Sequence, residues 1–149
     1  MAYIRQCCEP GCFLCDAFQS EADAENLIVK RGEACAVILN RYPYNNGHLM
    51  VAPYRHVDGV EGLNAGEQQE LLALSAAACS RLRVELQAQG FNLGINQGAV
   101  AGAGLRDHLH LHVVPRWEGD TNFMPALADV KIIPQPLAEL YERLRHDWP

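Results

Sequence analysis

The segment from His108 to Pro115 constrains the fold of this chain most strongly, because three histidines alternate there with aliphatic residues. In a β-strand, successive side chains point to opposite faces. The three imidazoles would therefore lie on one face, while the intervening aliphatic side chains would be buried on the other. The pattern predicts a strand that separates a polar site from a hydrophobic core.

Three interpretations of these histidines compete. An amphipathic surface strand would need no special chemistry, but histidine is not a favoured strand residue. A single metal held by all three is disfavoured, because His108 and His112 would lie about 13 Å apart along an extended strand. The interpretation that we favour divides the roles: one histidine is a nucleophile or base, and its neighbours orient it, bind substrate or hold a metal.

The composition predicts one globular domain over residues 1–149. A chain of 149 residues can bury a sizeable core, and 49% hydrophobic with 20% charged residues is ordinary for such a domain. A formal net charge of −6 argues against electrostatic binding of nucleic acid. No apolar run approaches the ~18 residues that span a bilayer, and the N-terminus lacks the apolar core of a signal peptide. We therefore expect a cytoplasmic protein with no nucleic-acid or membrane partner.

Hydrophobic spacing predicts an α+β fold with an antiparallel sheet. Two apolar runs, Ala34–Asn40 and His48–Pro53, flank a turn-forming loop and predict neighbouring strands. A further strand is predicted at Phe91–Gln97, and a short C-terminal helix at Leu137–Arg145.

One long helix is predicted over Glu67–Gln89. Asn64 is placed to cap its start and Gly90 its end. We expect this helix to pack on the sheet face opposite the histidines, because its apolar residues recur at spacings of three and four. These residues are Leu71, Leu74, Ala78, Leu82 and Leu86.

The N-terminal region carries a Cys12-x-x-Cys15 pair within a cysteine-rich start. The pair suits half of a metal site, a redox pair or a chance arrangement, and no βαβ pattern follows that would favour redox chemistry. A zinc site would need two further ligands. Cys7 and Cys8, in the same region, suggest no role of their own.

A glycine-rich run, Gly98–Gly104, leads into the histidine segment. It lacks the Lys-Ser/Thr ending of a P-loop, and it precedes a predicted strand rather than a helix. Its small residues would let backbone amides approach a phosphate closely; otherwise it is a hairpin loop that binds nothing.

Taken together, these features resemble the histidine triad (HIT) family. The resemblance rests on the His-x-His-x-His pattern followed by two apolar residues, and on residues around it. These are Asn40, the Gly47-His48 pair, the glycine-rich run and Pro115-Arg116.

The resemblance covers about residues 12–116, and it implies a single HIT domain with a C-terminal extension over residues 117–149. A five-stranded antiparallel sheet with one long helix and a C-terminal helix is implied, as is a homodimer. Residues 117–124 are similar to a bacterial branch of diadenosine tetraphosphate phosphorylases and hydrolases.

The resemblance also implies a role for each site residue. His110 would be the nucleophile and form a nucleotidyl-histidine intermediate, and His112 would bind phosphate oxygens or the leaving group. His48 would orient the nucleophile. Asn40 would contact ribose hydroxyls and Asn96 a phosphate, the latter with a one-residue insertion in the glycine-rich run.

One position departs from the family pattern. Many HIT enzymes carry Gln, Ser or Thr just before the triad, where this chain has Gly104. Either the backbone amides of Gly104 and Leu105 replace that donor, or Arg106 does, or activation of the leaving group is weak.

Residues just after the triad are further candidates for substrate contacts. Arg116 is a second positive group that could compensate phosphate charge, or it is simply solvated. Trp117, together with Phe123, would cover the base or the second nucleotide, unless both pack the C-terminal tail.

Zinc is implied by the same resemblance. His56 and His108 correspond to ligand positions in zinc-bearing members of the family, so a site made of Cys12, Cys15, His56 and His108 is expected. No organic cofactor is expected.

We therefore expect a nucleotide-cleaving enzyme that acts on dinucleoside polyphosphates such as diadenosine tetraphosphate, with water or inorganic phosphate as the acceptor. Nucleoside phosphoramidate hydrolysis is an alternative within the family. A nucleotide-binding regulatory protein with little turnover is a second alternative, and a zinc-dependent interaction protein with a structural triad is a third.

Overall fold

The computed structural model describes residues 11–103, 108–120 and 135–148. Its helices and strands, in chain order, are α1 (Phe13–Gln19), α2 (Asp23–Asn26), β1 (Ile28–Arg31), β2 (Cys35–Leu39), β3 (Leu49–Pro53), a 3-10 turn (Val60–Gly62), α3 (Ala65–Leu86), β4 (Gly90–Ile95), a second 3-10 turn (Ala99–Ala101), β5 (Leu111–Arg116) and α4 (Leu137–Leu144).

The strands form one antiparallel sheet in the order β1-β2-β3-β5-β4, which confirms the expected α+β class and five-stranded sheet. Residues that pair directly across antiparallel strands lie on the same face. Ile38 pairs with Met50, and Met50 pairs with His112. These three side chains therefore form one row across the sheet, on the face that carries the triad.

The opposite face of the sheet is apolar and packs against α3. On this face Leu49 pairs with Val113, and both side chains are fully buried. The long helix contacts β2, β3 and β5, and the Cys35 thiol on this face donates to the Glu67 carbonyl of α3 over 3.7 Å. The predicted packing of the long helix opposite the histidines is confirmed.

A capping box starts α3. The Asn64 side chain accepts the Glu67 backbone N–H, and the Glu67 carboxylate accepts the Asn64 N–H, both at 2.9 Å. The helix begins at Ala65, two residues before the predicted start, because Asn64 is its N-cap residue. The cap predicted from the sequence is confirmed.

The predicted end of this helix at Gly90 is wrong. The helix ends at Leu86, Gln87 takes a left-handed conformation with φ of +54°, and Gly90 begins β4 instead. The Trp117 indole N–H lies 3.1 Å from the carbonyl oxygens of both Leu86 and Gln87. A donor from outside the helix thus satisfies carbonyls of its last turn, which allows the early ending.

The prediction of one strand through the whole triad is also wrong, because β5 begins only at Leu111. The Leu109 backbone N–H donates to the Val57 carbonyl (2.6 Å) rather than to a neighbouring strand. His108 and His110 therefore lie on an irregular approach to β5, where the Val57 carbonyl takes the backbone hydrogen bond of Leu109 that a neighbouring strand would otherwise accept.

The other predicted elements agree with the structure to within two residues: β2, β3, β4 and α4 lie where strands and a helix were expected. The sequence reading did not include α1, α2 or β1. Of these, α1 carries a helical signal, because Leu14, Ala17 and Phe18 are buried at spacings of three and four. Within the residues that the structure describes, no helix has the length and apolarity that a membrane crossing requires.

Candidate active site and metal centre

His110 lies just before β5 with its ring mostly buried, and its Nδ1 is 2.9 Å from the backbone oxygen of His108. A carbonyl oxygen can only accept, so Nδ1 must carry the proton in this bond. In the neutral ring the other nitrogen, Nε2, then holds a lone pair. The sequence context of His110 therefore fixes the tautomer that a nucleophilic histidine needs.

A second hydrogen-bonded chain fixes the tautomers of His48 and His112. The Tyr44 backbone N–H donates to His48 Nδ1 over 3.1 Å, so the proton of a neutral His48 lies on Nε2. That Nε2 is 2.9 Å from His112 Nδ1 and donates to it. His112 consequently keeps its own proton on Nε2, as a donor for an anionic group.

Asn40 supports the same arrangement. Its Oδ1 accepts the Tyr42 backbone N–H over 2.9 Å, which fixes the orientation of the amide group. Its Nδ2 then lies 3.3 Å from His48 Nδ1 and is a second donor to that nitrogen. Asn40 thus lies in contact with the histidine cluster, while its contact with ribose remains a prediction.

Burial controls the charge of His112. The pKa of His112 falls from its usual 6.5 to about 4. The main cause is the loss of solvent around the buried ring, and the nearby His110 ring adds to it. The ring centroids of His110 and His112 are 4.7 Å apart. Near pH 7 His112 is therefore a neutral N–H donor next to the His110 ring.

The second cluster consists of Cys12, Cys15, His56 and His108, whose four donor atoms lie within 4.8 Å of one another. The His108 Nδ1 is 3.2 Å from Cys12 Sγ and 3.5 Å from Cys15 Sγ, and Cys15 Sγ is 3.3 Å from His56 Nδ1. In a tetrahedral zinc site, sulfur and nitrogen ligands lie about 3.6 Å apart. The spacing of these four side chains suits such a site.

The protonation of His108 also fits a metal ligand. Its Nε2 lies 2.8 Å from the Pro53 carbonyl oxygen and must donate to it, which leaves the Nδ1 lone pair facing the two thiols. Burial lowers the pKa of His108 to about 4, against a smaller opposing effect of the Pro53 bond. A neutral imidazole is the form of histidine that binds zinc, and the two cysteines would bind it as thiolates.

A cavity of about 550 Å³ opens on the histidine-bearing face of the sheet. Its apolar wall includes Ile38 and Met50, and Met50 pairs directly with His112. Helix α1 forms another wall through Phe13 and Ala17, and Asn40 lies at the edge. The cavity has the size and the mostly apolar lining of a small-molecule site.

Two predicted substrate contacts are engaged elsewhere. Trp117 follows β5 at the end distant from the triad, where its indole is bonded to the end of α3, so the structure does not bring it to the histidines. Arg116 binds both carboxylate oxygens of Asp120 (2.6 and 2.7 Å) and the Asn92 side chain (2.8 Å). Both residues have packing or loop-fixing roles here.

The remaining predicted residues divide into two groups. Asn96 directly follows β4, whose last residue, Ile95, pairs with Leu111 at the start of β5, so Asn96 lies near the end of the sheet from which the triad enters. Gly104, Leu105, Arg106 and Phe123 lie outside the described residues, as do Cys7 and Cys8.

Sequence reasoning missed three groups at the site. Phe13 and the Ile38–Met50 row line the cavity, and the alternation of β2 and β3 could have placed that row on the histidine face. Tyr44 acts through its backbone N–H, for which the side chain gives no signal.

The HIT domain family model matches residues 21–119 of this chain. The chain therefore belongs to the histidine triad family. The matched range contains both candidate clusters except for Cys12 and Cys15.

Among similar proteins, AP-4-A phosphorylase of Mycobacterium tuberculosis (strain ATCC 25618 / H37Rv) is 45% identical over 127 residues, which cover 85% of this chain and 65% of the relative. The chain thus spans slightly less than two thirds of that relative. The asymmetrical bis(5'-nucleosyl)-tetraphosphatase of Schizosaccharomyces pombe is 29% identical over 90 residues, which cover 60% of this chain and 49% of the relative.

Solved structures agree with this family assignment. A Zn-bound histidine triad family protein from Mycobacterium smegmatis has a TM-score of 0.71 and 25% identity, covering 95% of this chain and 92% of its own. A hypothetical histidine triad nucleotide-binding protein from Sulfolobus tokodaii has a TM-score of 0.73 and 28% identity, covering 90% and 89%.

Proposed function

We propose that this protein is an enzyme that cleaves dinucleoside polyphosphates, with diadenosine tetraphosphate as the favoured substrate. The observation that carries the proposal is the His110 tautomer, in which Nδ1–H is bound to the His108 carbonyl and Nε2 is available for attack. Support also comes from the mycobacterial and fission yeast relatives, whose names describe enzymes that act on such compounds.

The chemistry would proceed in two displacements. His110 Nε2 attacks the α-phosphorus of one nucleotide, a nitrogen–phosphorus bond forms, and the bond to the polyphosphate leaving group breaks. The ring becomes cationic, and its Nδ1–H remains bonded to the His108 carbonyl. The His112 Nε2–H donates to an oxygen of the phosphoryl group or of the leaving group, where negative charge develops. An acceptor oxygen then attacks the phosphorus and releases neutral His110.

The nucleoside of the reacting nucleotide would lie in the 550 Å³ cavity. The base would lie against the apolar row of Ile38 and Met50, which leads along the sheet to His112. Asn40 at the cavity edge would bond the ribose hydroxyls, and Asn96 would contact a phosphate. This placement brings the α-phosphate to the two histidines when the base is in the cavity.

Inorganic phosphate is the acceptor that we favour, because the most similar of the relatives named here is a phosphorylase and matches over 85% of this chain. Water remains the second acceptor, in keeping with the name of the fission yeast relative.

Product analysis tests both the enzyme and its acceptor. The full chain is incubated with diadenosine tetraphosphate, with and without phosphate, and the nucleotides are separated. ADP and ATP formed only with phosphate indicate a phosphorylase, whereas AMP and ATP in water alone indicate a hydrolase. His110→Ala is the control and should form neither.

Other products of the same experiment decide between the alternatives. Equal nucleotide affinity of wild type and His110→Ala with no turnover in either would support a binding protein. Turnover of adenosine phosphoramidate in place of the dinucleotide would support the other enzymatic branch. Turnover of the dinucleotide that survives His110→Ala would exclude this nucleophile.

We also propose zinc at the Cys12, Cys15, His56 and His108 cluster. The spacing of the donors and the Zn-bound mycobacterial neighbour support the assignment. When bound, zinc would supply a structural crosslink between α1 and the segments around His56 and His108. Metal analysis of the purified chain should give one zinc per protein, and Cys12→Ser with Cys15→Ser should abolish it.

A homodimer and a cytoplasmic location complete the proposal. β4 is an edge strand of the described sheet, and its Leu93 side chain is 49% exposed in the single chain. An exposed apolar residue on an edge strand is expected where a second copy of the chain covers that edge. Sedimentation should give a dimer, and Leu93→Glu should give a monomer. Cys12, Cys35 and Cys79 are thiols in the structure, which suits a reducing compartment.

A further inference from the structure

The two clusters are connected by the short helix α1. Cys12 and Cys15 at its first turn face the histidines of the metal cluster. Phe13, which lies between them in sequence, lines the nucleoside cavity together with Ala17. One turn of helix therefore carries both candidate metal ligands on one side and a wall of the cavity on the other.

The two ends of α1 are held differently. At its C-terminal end, Phe18 packs edge-on against Tyr54 with ring centroids 5.3 Å apart, and Arg31 donates to the carbonyls of Phe18 (3.0 Å) and Ser20 (2.7 Å). These contacts need no metal.

At the N-terminal end, Cys12 is the N-cap residue and makes no side-chain capping bond. The buried Leu14 gives this turn an apolar anchor, and the Cys12 and Cys15 side chains contact the two histidines of the metal cluster. A helix of seven residues has little stability of its own. The direction of Phe13, whose side chain is 49% exposed, therefore depends on how the two cysteines are held.

We propose that metal bound by Cys12, Cys15, His56 and His108 sets the affinity for the nucleoside, because it holds Phe13 in place as a wall of the nucleoside cavity. This inference rests on the proposed function, since it takes the cavity to hold a nucleoside. Phe13 is accordingly a specificity-determining residue whose position is controlled from the metal cluster.

The phosphate end of the site should respond much less to the metal. The bond of His108 Nε2 to the Pro53 carbonyl and the bond of the Leu109 N–H to the Val57 carbonyl use none of the metal-cluster donor atoms, so we expect both to persist in either metal state. His112 is held by His48, which lies outside the metal cluster. Metal removal should therefore separate nucleoside binding from phosphate binding.

Calorimetry on the full chain tests this separation, with two ligands and two metal states. The ligands are adenosine monophosphate, which would occupy the cavity, and inorganic tripolyphosphate, which would not. We expect metal-stripped protein to bind adenosine monophosphate about tenfold more weakly than zinc-loaded protein, as for the loss of one aromatic contact. Tripolyphosphate affinity should change by less than about twofold.

Phe13→Ala provides the matched variant. In zinc-loaded protein this variant should lower the affinity for adenosine monophosphate by about tenfold. The zinc content and the affinity for tripolyphosphate should be unchanged. Metal removal from this variant should then have little further effect on adenosine monophosphate, because both changes remove the same contact. If the metal-stripped wild type fails to fold, the zinc-loaded variant still tests the role of Phe13 as a wall of the cavity.

Several outcomes would overturn the inference. Equal adenosine monophosphate affinity in the two metal states would do so while leaving the proposed function intact, and so would equal losses for both ligands. A Phe13→Ala protein with unchanged nucleotide affinity would exclude the wall role. If zinc-loaded wild type binds no adenosine monophosphate, the proposed function itself fails, and the inference fails with it.

Discussion

His108 and His110 are two residues apart on the same approach to β5, yet their rings have opposite tautomers. His108 donates from Nε2 to the Pro53 carbonyl and leaves its Nδ1 lone pair free. His110 donates from Nδ1 to the His108 carbonyl and leaves its Nε2 lone pair free. In each ring, a backbone carbonyl determines which nitrogen is available for chemistry.

The surroundings of the free nitrogen make the second difference between the two clusters. The free nitrogen of His108 faces two thiols and another imidazole, which is a closed donor set for a metal. The ring of His110 lies beside the neutral N–H donor His112. The same side chain therefore suits a structural ligand at one position and a nucleophile at the next but one.

The largest expected effect separates the two histidines by chemical rescue. His110→Gly should lower turnover of diadenosine tetraphosphate by on the order of 10⁴-fold, because the covalent route is lost. Added imidazole should restore part of this turnover by taking the place of the missing ring. The rate is measured by product formation at several imidazole concentrations.

His108→Gly is the matched control for rescue. Free imidazole can occupy the place of the His108 ring, but it is not attached to the chain. It therefore cannot tie the segment before β5 to the metal cluster, and any lost turnover should not return. Rescue at His108 together with none at His110 would reverse the two assignments.

Metal removal tests the cluster of Cys12, Cys15, His56 and His108. A metal present at about 1,000 times its dissociation constant stabilises a folded protein by about 4 kcal/mol. We therefore expect chelation to lower the free energy of unfolding by about this amount, measured by denaturant titration with and without zinc. His110→Ala should retain this dependence on zinc in full. If a His108 variant gains the same stability from zinc as the wild type, His108 is not a zinc ligand.

The pH dependence of stability tests the cluster of His48, His110 and His112 through His112. Burial lowers its folded pKa to about 4 from the usual 6.5, so the unfolded chain binds more protons between these values. This contribution to stability is fully present above about pH 6.5, and it is lost as the pH falls towards 4. The difference amounts to about 3 kcal/mol.

Urea titrations of wild type and His112→Gln between pH 4 and 7 measure this contribution. The variant should show a smaller fall in unfolding free energy over that range. Any contribution of the metal cluster is the same in both proteins, so the difference reports on His112. Parallel curves for the two proteins would mean that His112 is not a buried neutral ring.

Much of the sheet could be predicted because its residues obey simple local rules. β2 and β3 are short apolar runs on either side of a turn, and Asn64 is a good N-cap residue before an apolar stripe. The end of α3 could not be predicted in the same way, because it depends on Trp117, a residue distant in sequence. The strand start at Leu111 likewise depends on Val57 and its carbonyl.

The candidate site shows the same division. The spacing of Cys12 and Cys15 and the triad pattern indicated which side chains belong together, and the structure brings the four metal-cluster residues within 4.8 Å. The tautomers could not be read from side chains, because the bonds that set them come from the backbone of Tyr44, Pro53 and His108. The nucleoside cavity was missed because the apolar spacing of α1 marks its buried face, whereas Phe13, which lines the cavity, lies outside that pattern.

The smallest expected effect concerns Trp117, which lies outside both clusters. Its indole N–H bonds the carbonyls at the end of α3, and the predicted contact with the base would require it to reach the histidine face instead. Trp117→Phe keeps an aromatic ring but removes the N–H together with the five-membered ring of the indole. We expect a loss of at least about 1 kcal/mol in unfolding free energy, the usual contribution of one hydrogen bond, with no change in KM for diadenosine tetraphosphate. Denaturant titration and steady-state kinetics measure the two quantities on the same preparation.

A raised KM with unchanged stability would return Trp117 to the substrate site. An indole that contacts the base affects substrate binding, whereas an indole that caps a helix affects folding.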